Sequence, residues 1–205
     1  MPHKYNYPED GKFHTRYSEL VKATETGVIR AVQERRGEMP PIENIHTLLG
    51  TERHEEFAKE SLKTGKPAQV FLDGCSELNR DYKVATVEQE LVAEIFPDVV
   101  LHSTPDFIGT DAKGNTILVD YKCSAASPDS FPKSKQHLCY AFQLLARGIL
   151  CSEVYYCVEQ WNTEKTEIMG YTTVVVPIDR QKIMAVRDWL WERVCNLQEA
   201  LEIIK

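Results

Sequence analysis

The stretch from Ser103 to Ser124 constrains this chain most. It reads as two short strands joined by a turn at Ala112, Lys113, Gly114 and Asn115, Gly and Asn being residues that enter positive φ readily. Asp106 sits at the start of the first strand, and Asp120 and Lys122 at the end of the second. In an antiparallel pair those two ends lie side by side, so Asp106 and Asp120 meet although 14 positions apart. Asp120 and Lys122 are separated by one residue and share a face of the strand. Two carboxylates and an ammonium therefore converge. That combination suits a divalent cation assisted by a lysine, with Mg²⁺ or Mn²⁺ as the hard ion such oxygen ligands prefer. The Tyr121 carbonyl, between Asp120 and Lys122, is a further candidate ligand. Taken alone, the Asp-x-Lys triplet reads more readily as a surface ion pair worth less than about 1 kcal/mol.

Around this hairpin the chain reads as follows. Residues 1–15, polar and aromatic with Pro2, Pro8 and Gly11, suggest a loosely held arm. Ser18 caps a helical pattern through Leu20, Val21, Val28, Ile29 and Val32, ended by Gly37 and the Pro40-Pro41 pair. A second helix runs from about Glu43 through Leu62, with Ile45, Leu48, Leu49, Phe57 and Leu62 roughly on one face and His54 inside it. Residues 84–95 alternate and read as one strand with one buried face, a helix being the weaker alternative. A strand near Val99 to Leu101 leads into the hairpin. A loop over 124–132 precedes a helix over 133–146, strands over 153–160 and 167–176, and a last helix from Asp179. That helix bears an apolar stripe (Ile183, Val186, Leu190, Val194, Leu197, Leu201, Ile204) that is core or a subunit contact. This order predicts an α/β fold, a central mixed β-sheet flanked by helices, with N-terminal helices before it. A length of 205 residues suits a single domain, with 1–42 as arm and helix and 43–205 as core.

Composition excludes some functions. A net charge of −7 argues against a generic nucleic-acid coating protein, while leaving room for an enzyme with a local basic groove. Between Lys12 and Arg36 the chain holds six Lys/Arg against three Glu, a net +3, which reads equally as a solvated helix face or a DNA-facing one. No apolar run approaches the roughly 18 residues a membrane span needs, and no apolar signal region opens the chain. Six cysteines without regular spacing do not suggest a disulfide scaffold. The expectation is an intracellular, cytoplasmic protein with no membrane partner.

Four motifs extend the hairpin in both directions. They are Gly50-x-x-x-His54, Pro105-Asp106, Asp120-Tyr121-Lys122 and Gln136-x-x-x-Tyr140, in that order. Together they resemble the PD-(D/E)XK nuclease superfamily, specifically its RecB-like branch, which includes the CRISPR-associated RecB-type exonucleases. The resemblance covers about residues 50–140. It implies a restriction-endonuclease-like core and a metal-dependent DNA nuclease, with Asp106 and Asp120 as metal carboxylates, His54 as an additional ligand and Lys122 as the catalytic lysine. Gln136 and Tyr140, four apart on one helical face, resemble the pair bordering the site. An upstream acidic residue often lies near the metal in such proteins; here Glu88 or Glu90 is the candidate, with a slight preference for Glu90. A solvent-facing acidic strand face explains that pair at least as well. Some relatives hold an iron–sulfur cluster through one cysteine before the Gly-x-x-x-His motif and three near the C-terminus. The first cysteine here, Cys75, follows that motif, so no cluster is expected.

The resemblance further implies an exonuclease acting on single-stranded DNA or DNA ends, with Phe131, His137 and Trp161 as possible stacking surfaces for bases. A structure-specific endonuclease and a non-catalytic nucleic-acid-binding module with the same fold are the rivals. A replication or recombination protein is a possible partner.

Overall fold

The computed structural model describes residues 7–25, 27–39 and 45–203. In chain order the elements are β1 (Phe13–Arg16), α1 (Tyr17–Glu25), α2 (Val28–Arg35), α3 (Ile45–Thr64), the short α4 (Gln69–Leu72), β2 (Tyr82–Val87), β3 (Leu91–Phe96), β4 (Val99–Ser103), β5 (Phe107–Asp111), β6 (Thr116–Ser124), a 3₁₀ turn (Pro128–Lys133), α5 (Gln136–Ala146), β7 (Cys151–Trp161), β8 (Ile168–Pro177) and α6 (Arg180–Ile203). Pro2, the Pro40-Pro41 pair, Glu43 and Ile204 lie outside the described residues. No helix among the described residues is long and apolar enough to cross a membrane.

The hairpin is β5 and β6, antiparallel with Phe107 opposite Val119. Asp111 fixes its turn: Oδ1 accepts the Lys113 and Asn115 amides at 2.8 and 2.9 Å. It forms the middle of a five-stranded mixed sheet in the order β2-β5-β6-β7-β8. β6 and β7 are parallel, a pairing that needs a crossover, and α5 lies within it. A second sheet, β1-β4-β3, stands beside the first. Mixed sheets and flanking helices make this the expected α/β fold.

β6 alternates between two cores. Ile117, Val119 and Tyr121 pack with Phe57 of α3, Phe71 of α4 and Phe107. Leu118 faces a larger cluster built from α1, α2, β3, β4, α5 and α6. The stripe on α6 joins that cluster, with Ile183, Leu190, Val194 and Leu197 fully buried, so these positions are core and not a subunit contact.

Four expectations are corrected. Residues 84–95 are not one strand. Glu88, at φ 46°, turns the chain between β2 and β3, which belong to different sheets. The N-terminal helical pattern is two helices, broken at Gly27, whose φ of 87° only glycine adopts cheaply. Residues 13–15 are no loose arm. They begin β1, parallel to β4, and buried His14 meets buried His102 across the pair, Nδ1 to Nε2 at 2.8 Å. On α3 the buried side runs through Phe57, Ala58 and Ser61, while Leu48 and Leu62 are exposed.

Gly109 in β5 lies beneath the Tyr82 and Phe107 rings, which meet edge to face at 5.2 Å. A Cβ there would fall onto both rings. Gly109→Ala is expected to destabilise the protein by about 1–3 kcal/mol through overpacking, read as a lower urea midpoint at unchanged slope.

Candidate metal centre and its lysine

Asp106 precedes β5 and is buried. Its Oδ2 accepts the Tyr121 amide at 2.6 Å and its Oδ1 lies 3.2 Å from His54 Nδ1. Its backbone carbonyl accepts the Glu88 amide at 3.1 Å. α3, β6 and the bend after β2 are thereby tied to one residue. Ligand atoms of His54, Glu88 and Asp106 all lie within 4.8 Å of one another.

The bend explains why Glu88 arrives here. Its left-handed backbone is costly for a non-glycine residue, and such conformations cluster at functional sites. Glu90, favoured by the sequence, lies elsewhere: its carboxylate pairs with Arg16 at 2.9 Å and His102 at 3.1 Å. The single positive φ between the strands redirects the chain, so parity could not choose between the two glutamates.

Asp120 and Lys122 project from β6 on the side opposite Tyr121, as their alternation requires. Asp120 is buried and forms an ion pair with Lys122. The ammonium donates to Gln136 Oε1 at 3.1 Å, and Gln136 Nε2 donates to the Tyr140 hydroxyl at 2.6 Å. Both partners come from α5, four residues and one helical turn apart. The structure thus joins the last two sequence motifs in one hydrogen-bonded chain. The Tyr121 ring points into the core instead, its hydroxyl accepting the Ala68 amide at 2.9 Å and meeting Ser61 Oγ at 3.0 Å.

The electrostatics follow from crowding. Burial pushes the Asp120 carboxyl above the ordinary carboxylate range; Lys122 opposes this and nearby Asp106 adds to it. Partial desolvation and Asp106 likewise raise Glu88. Burial acts to lower the His54 imidazole, but its hydrogen bond to Asp106 and the neighbouring Cys123 outweigh it and lift the group to about 10. Burial and the two aspartates raise the Tyr140 phenol, keeping it protonated.

These residues fit a divalent cation. The donor set is one imidazole and two carboxylates, with a third carboxylate beside them. Asp120 is buried, and its Oδ2 is met by the Lys122 ammonium. Burial is the larger cause of the raised Asp120 and Glu88 carboxyls, and the repulsion that Asp106 adds to it is what a bound cation would relieve.

No family model matches the chain, and no curated protein matches it. Solved structures do. The alkaline exonuclease LHK-Exo from Laribacter hongkongensis aligns with a TM-score of 0.55 at 13% identity, over 93% of this chain and 91% of its own. Its complex with dAMP gives 0.54 at 15%, over 95% and 92%. A phage-related exonuclease from Haemophilus somnus 129PT gives 0.54 at 15%, over 94% and 95%. The fold is shared with these exonuclease structures. At these identities the likeness is one of fold.

In metal-free protein, Asp106→Asn is expected to bring the His54 pKa down from about 10 toward the free value of about 6.5, followed by NMR titration of the imidazole in EDTA. The sign extends to stability. A folded-state pKa above the unfolded one stabilises fully below about pH 6.5 and loses that contribution as pH rises through the folded value. The pH dependence over that window should therefore flatten in the variant.

Proposed function

We propose that this protein is a divalent-metal-dependent deoxyribonuclease of the RecB-like branch, an exonuclease acting on single-stranded DNA or DNA ends. The observation that carries the reading is the meeting of two groups at the end of β6. The His54, Glu88 and Asp106 cluster lies on one side, and the chain from Lys122 through Gln136 to Tyr140 on the other. The fold shared with exonucleases supports it, as does the dAMP bound to one of them.

In this reading His54, Asp106 and Asp120 hold Mg²⁺ or Mn²⁺, with Glu88 and the Tyr121 carbonyl as further ligands. When bound, the cation supplies Lewis acidity toward the phosphate and lowers the pKa of water. The chain's own residues do the rest. Lys122 places a positive charge where negative charge develops on the phosphoryl oxygens, and orients the attacking water. Gln136 accepts from the ammonium and so directs it, while Tyr140 holds the Gln136 amide. The Tyr121 amide fixes the Asp106 carboxylate. Because proton and cation compete for His54, affinity for the cation rises with pH.

End-labelled single- and double-stranded DNA should be degraded with Mg²⁺ or Mn²⁺ and left intact in EDTA. Asp106→Ala, Asp120→Asn and Lys122→Ala should each slow degradation by about 100-fold or more. Gln136→Ala should slow it less, since Lys122 keeps Asp120. Circular single strands should survive if cutting starts from ends; their digestion would move the activity to an endonuclease. Equal cutting by wild type and Asp120→Asn, or none of DNA or RNA, would overturn the reading.

A further inference from the structure

β8 is an edge strand. β7 pairs with it on one side, and no other strand among the described residues pairs with it on the other. One bond tells which backbone groups face outward. The Ile178 amide donates to the Ser152 carbonyl at 2.9 Å, continuing the register that sets Pro177 opposite Glu153. Backbone groups alternate sides along an antiparallel strand. The even-numbered residues of β8 therefore turn their amides and carbonyls toward β7, and Tyr171, Thr173 and Val175 turn theirs toward the open edge. Pro177, next in that row, has no amide and ends it.

Exposed edges are ordinarily blunted by charges, bulges or proline. Here the bulge lies at the hairpin end, opposite Gln160 and Trp161, and the proline at the other. Ile168–Pro177 contains no Lys, Arg, Asp or Glu. The strand is also held in place. At the hairpin end the Trp161 indole donates to Glu159 Oε1 at 2.8 Å, and Arg53 of α3 holds the same buried carboxylate from Nε at 2.9 Å. On one face Phe71 of α4 meets the Tyr171 ring edge to face at 5.7 Å. On the other, Phe131 and Val174 pack against Tyr156, Val158 and Val176. Both faces thus have cover, and what remains is the edge itself.

Beside that edge, between α4 and β8, runs a groove of about 220 Å³ lined by Val70, Phe71, Gly74, Tyr171, Thr172 and Thr173. Gly74 leaves it open, since a Cβ there would meet only the Phe71 carbonyl, at 4.0 Å. Tyr171 and Val175 lie on the groove side by alternation and are 39% and 41% exposed. A backbone row with an apolar groove beside it fits an extended segment, whose main chain pairs with the row and whose alternate side chains enter the groove.

The ends of the strand select that segment. The hairpin end carries Glu164, Lys165 and Glu167, one net negative charge; the other end carries Asp179, Arg180 and Lys182, one net positive charge. Antiparallel pairing with a second copy of the chain sets each negative end against a positive one. Centred on Thr173, it also lays Thr173 against Thr173 and Val175 against Tyr171, pairs that a sheet favours. We propose that β8 is a dimerisation edge. Two copies pair antiparallel through Tyr171, Thr173 and Val175, and Val175 of each copy seats beside Phe71 and Gly74 of the other. The dimer owes nothing to the chemistry at the end of β6, so it stands or falls apart from the nuclease reading.

The test is the light-scattering mass of the full chain on gel filtration across a concentration series. The protein should run at twice the mass of one chain at the upper concentrations. Val175→Lys places a charge in the row and should give single-chain mass with an unchanged far-UV circular dichroism spectrum. Thr173→Pro, which removes an outward amide and no backbone bond to β7, should do the same. Gly74→Leu fills the groove from outside the sheet and should also give single chains, which keeps the test decisive if a strand variant fails to fold. Leu62→Lys, at an exposed position of α3, should leave the dimer intact. A wild-type protein of single-chain mass throughout would overturn the proposal and leave the edge to a segment of another protein. A trimer, or a dimer that persists in both Val175→Lys and Gly74→Leu, would overturn it as well.

Discussion

The Asp106 carboxylate is the contact on which the site depends. One oxygen takes the Tyr121 amide from β6 and the other meets His54 from α3, while the same residue's carbonyl takes the Glu88 amide from the bend after β2. A hydrogen bond to a charged group is worth roughly 1.5–3 kcal/mol, enough to hold three separately built elements in register. The same oxygens are the donors a cation would use. Structure and chemistry are thus concentrated in one side chain, and its substitution should disturb both.

β6 divides the work between its two faces. Its odd-numbered residues, Ile117, Val119 and Tyr121, bury against α3, α4 and β5. Its even-numbered residues include buried Leu118 and, beside α5, Asp120 and Lys122. The centre sits where this alternation runs out at the end of the strand. There, α3 closes from one side with His54 and α5 from the other with Gln136 and Tyr140. Glu159, farther along neighbouring β7, anchors α3 through Arg53, the residue before His54. The helix that carries the imidazole is therefore fixed by a buried ion pair as well as by its apolar packing.

Much of this was legible in the chain because it depends on short-range periodicity. A turn with Gly and Asn, a period of two in β6 and a spacing of four in α5 place Asp106, Asp120, Lys122, Gln136 and Tyr140 without any long-range information. What escaped depends on single backbone conformations or on distant pairing. Glu88 enters the cluster because one residue takes a positive φ, an event that apolar patterning does not record. Gly27 breaks the N-terminal helix in the same way, although a glycine inside a helical pattern is itself a signal. β1 is four residues long and pairs in parallel with β4, more than 80 positions away. The Trp161–Glu159–Arg53 anchor joins residues 106 positions apart in its longest link. A Glu two residues before a Trp suggests nothing until β7 meets α3.

The most direct measurement is anomalous diffraction from a crystal soaked in Mn²⁺. A divalent-metal centre predicts an anomalous peak within about 2.5 Å of His54 and of a carboxylate oxygen of Asp106, lost in Asp106→Ala crystals. A peak at some other group of acidic residues, or none at a concentration that supports DNA cleavage, would contradict it.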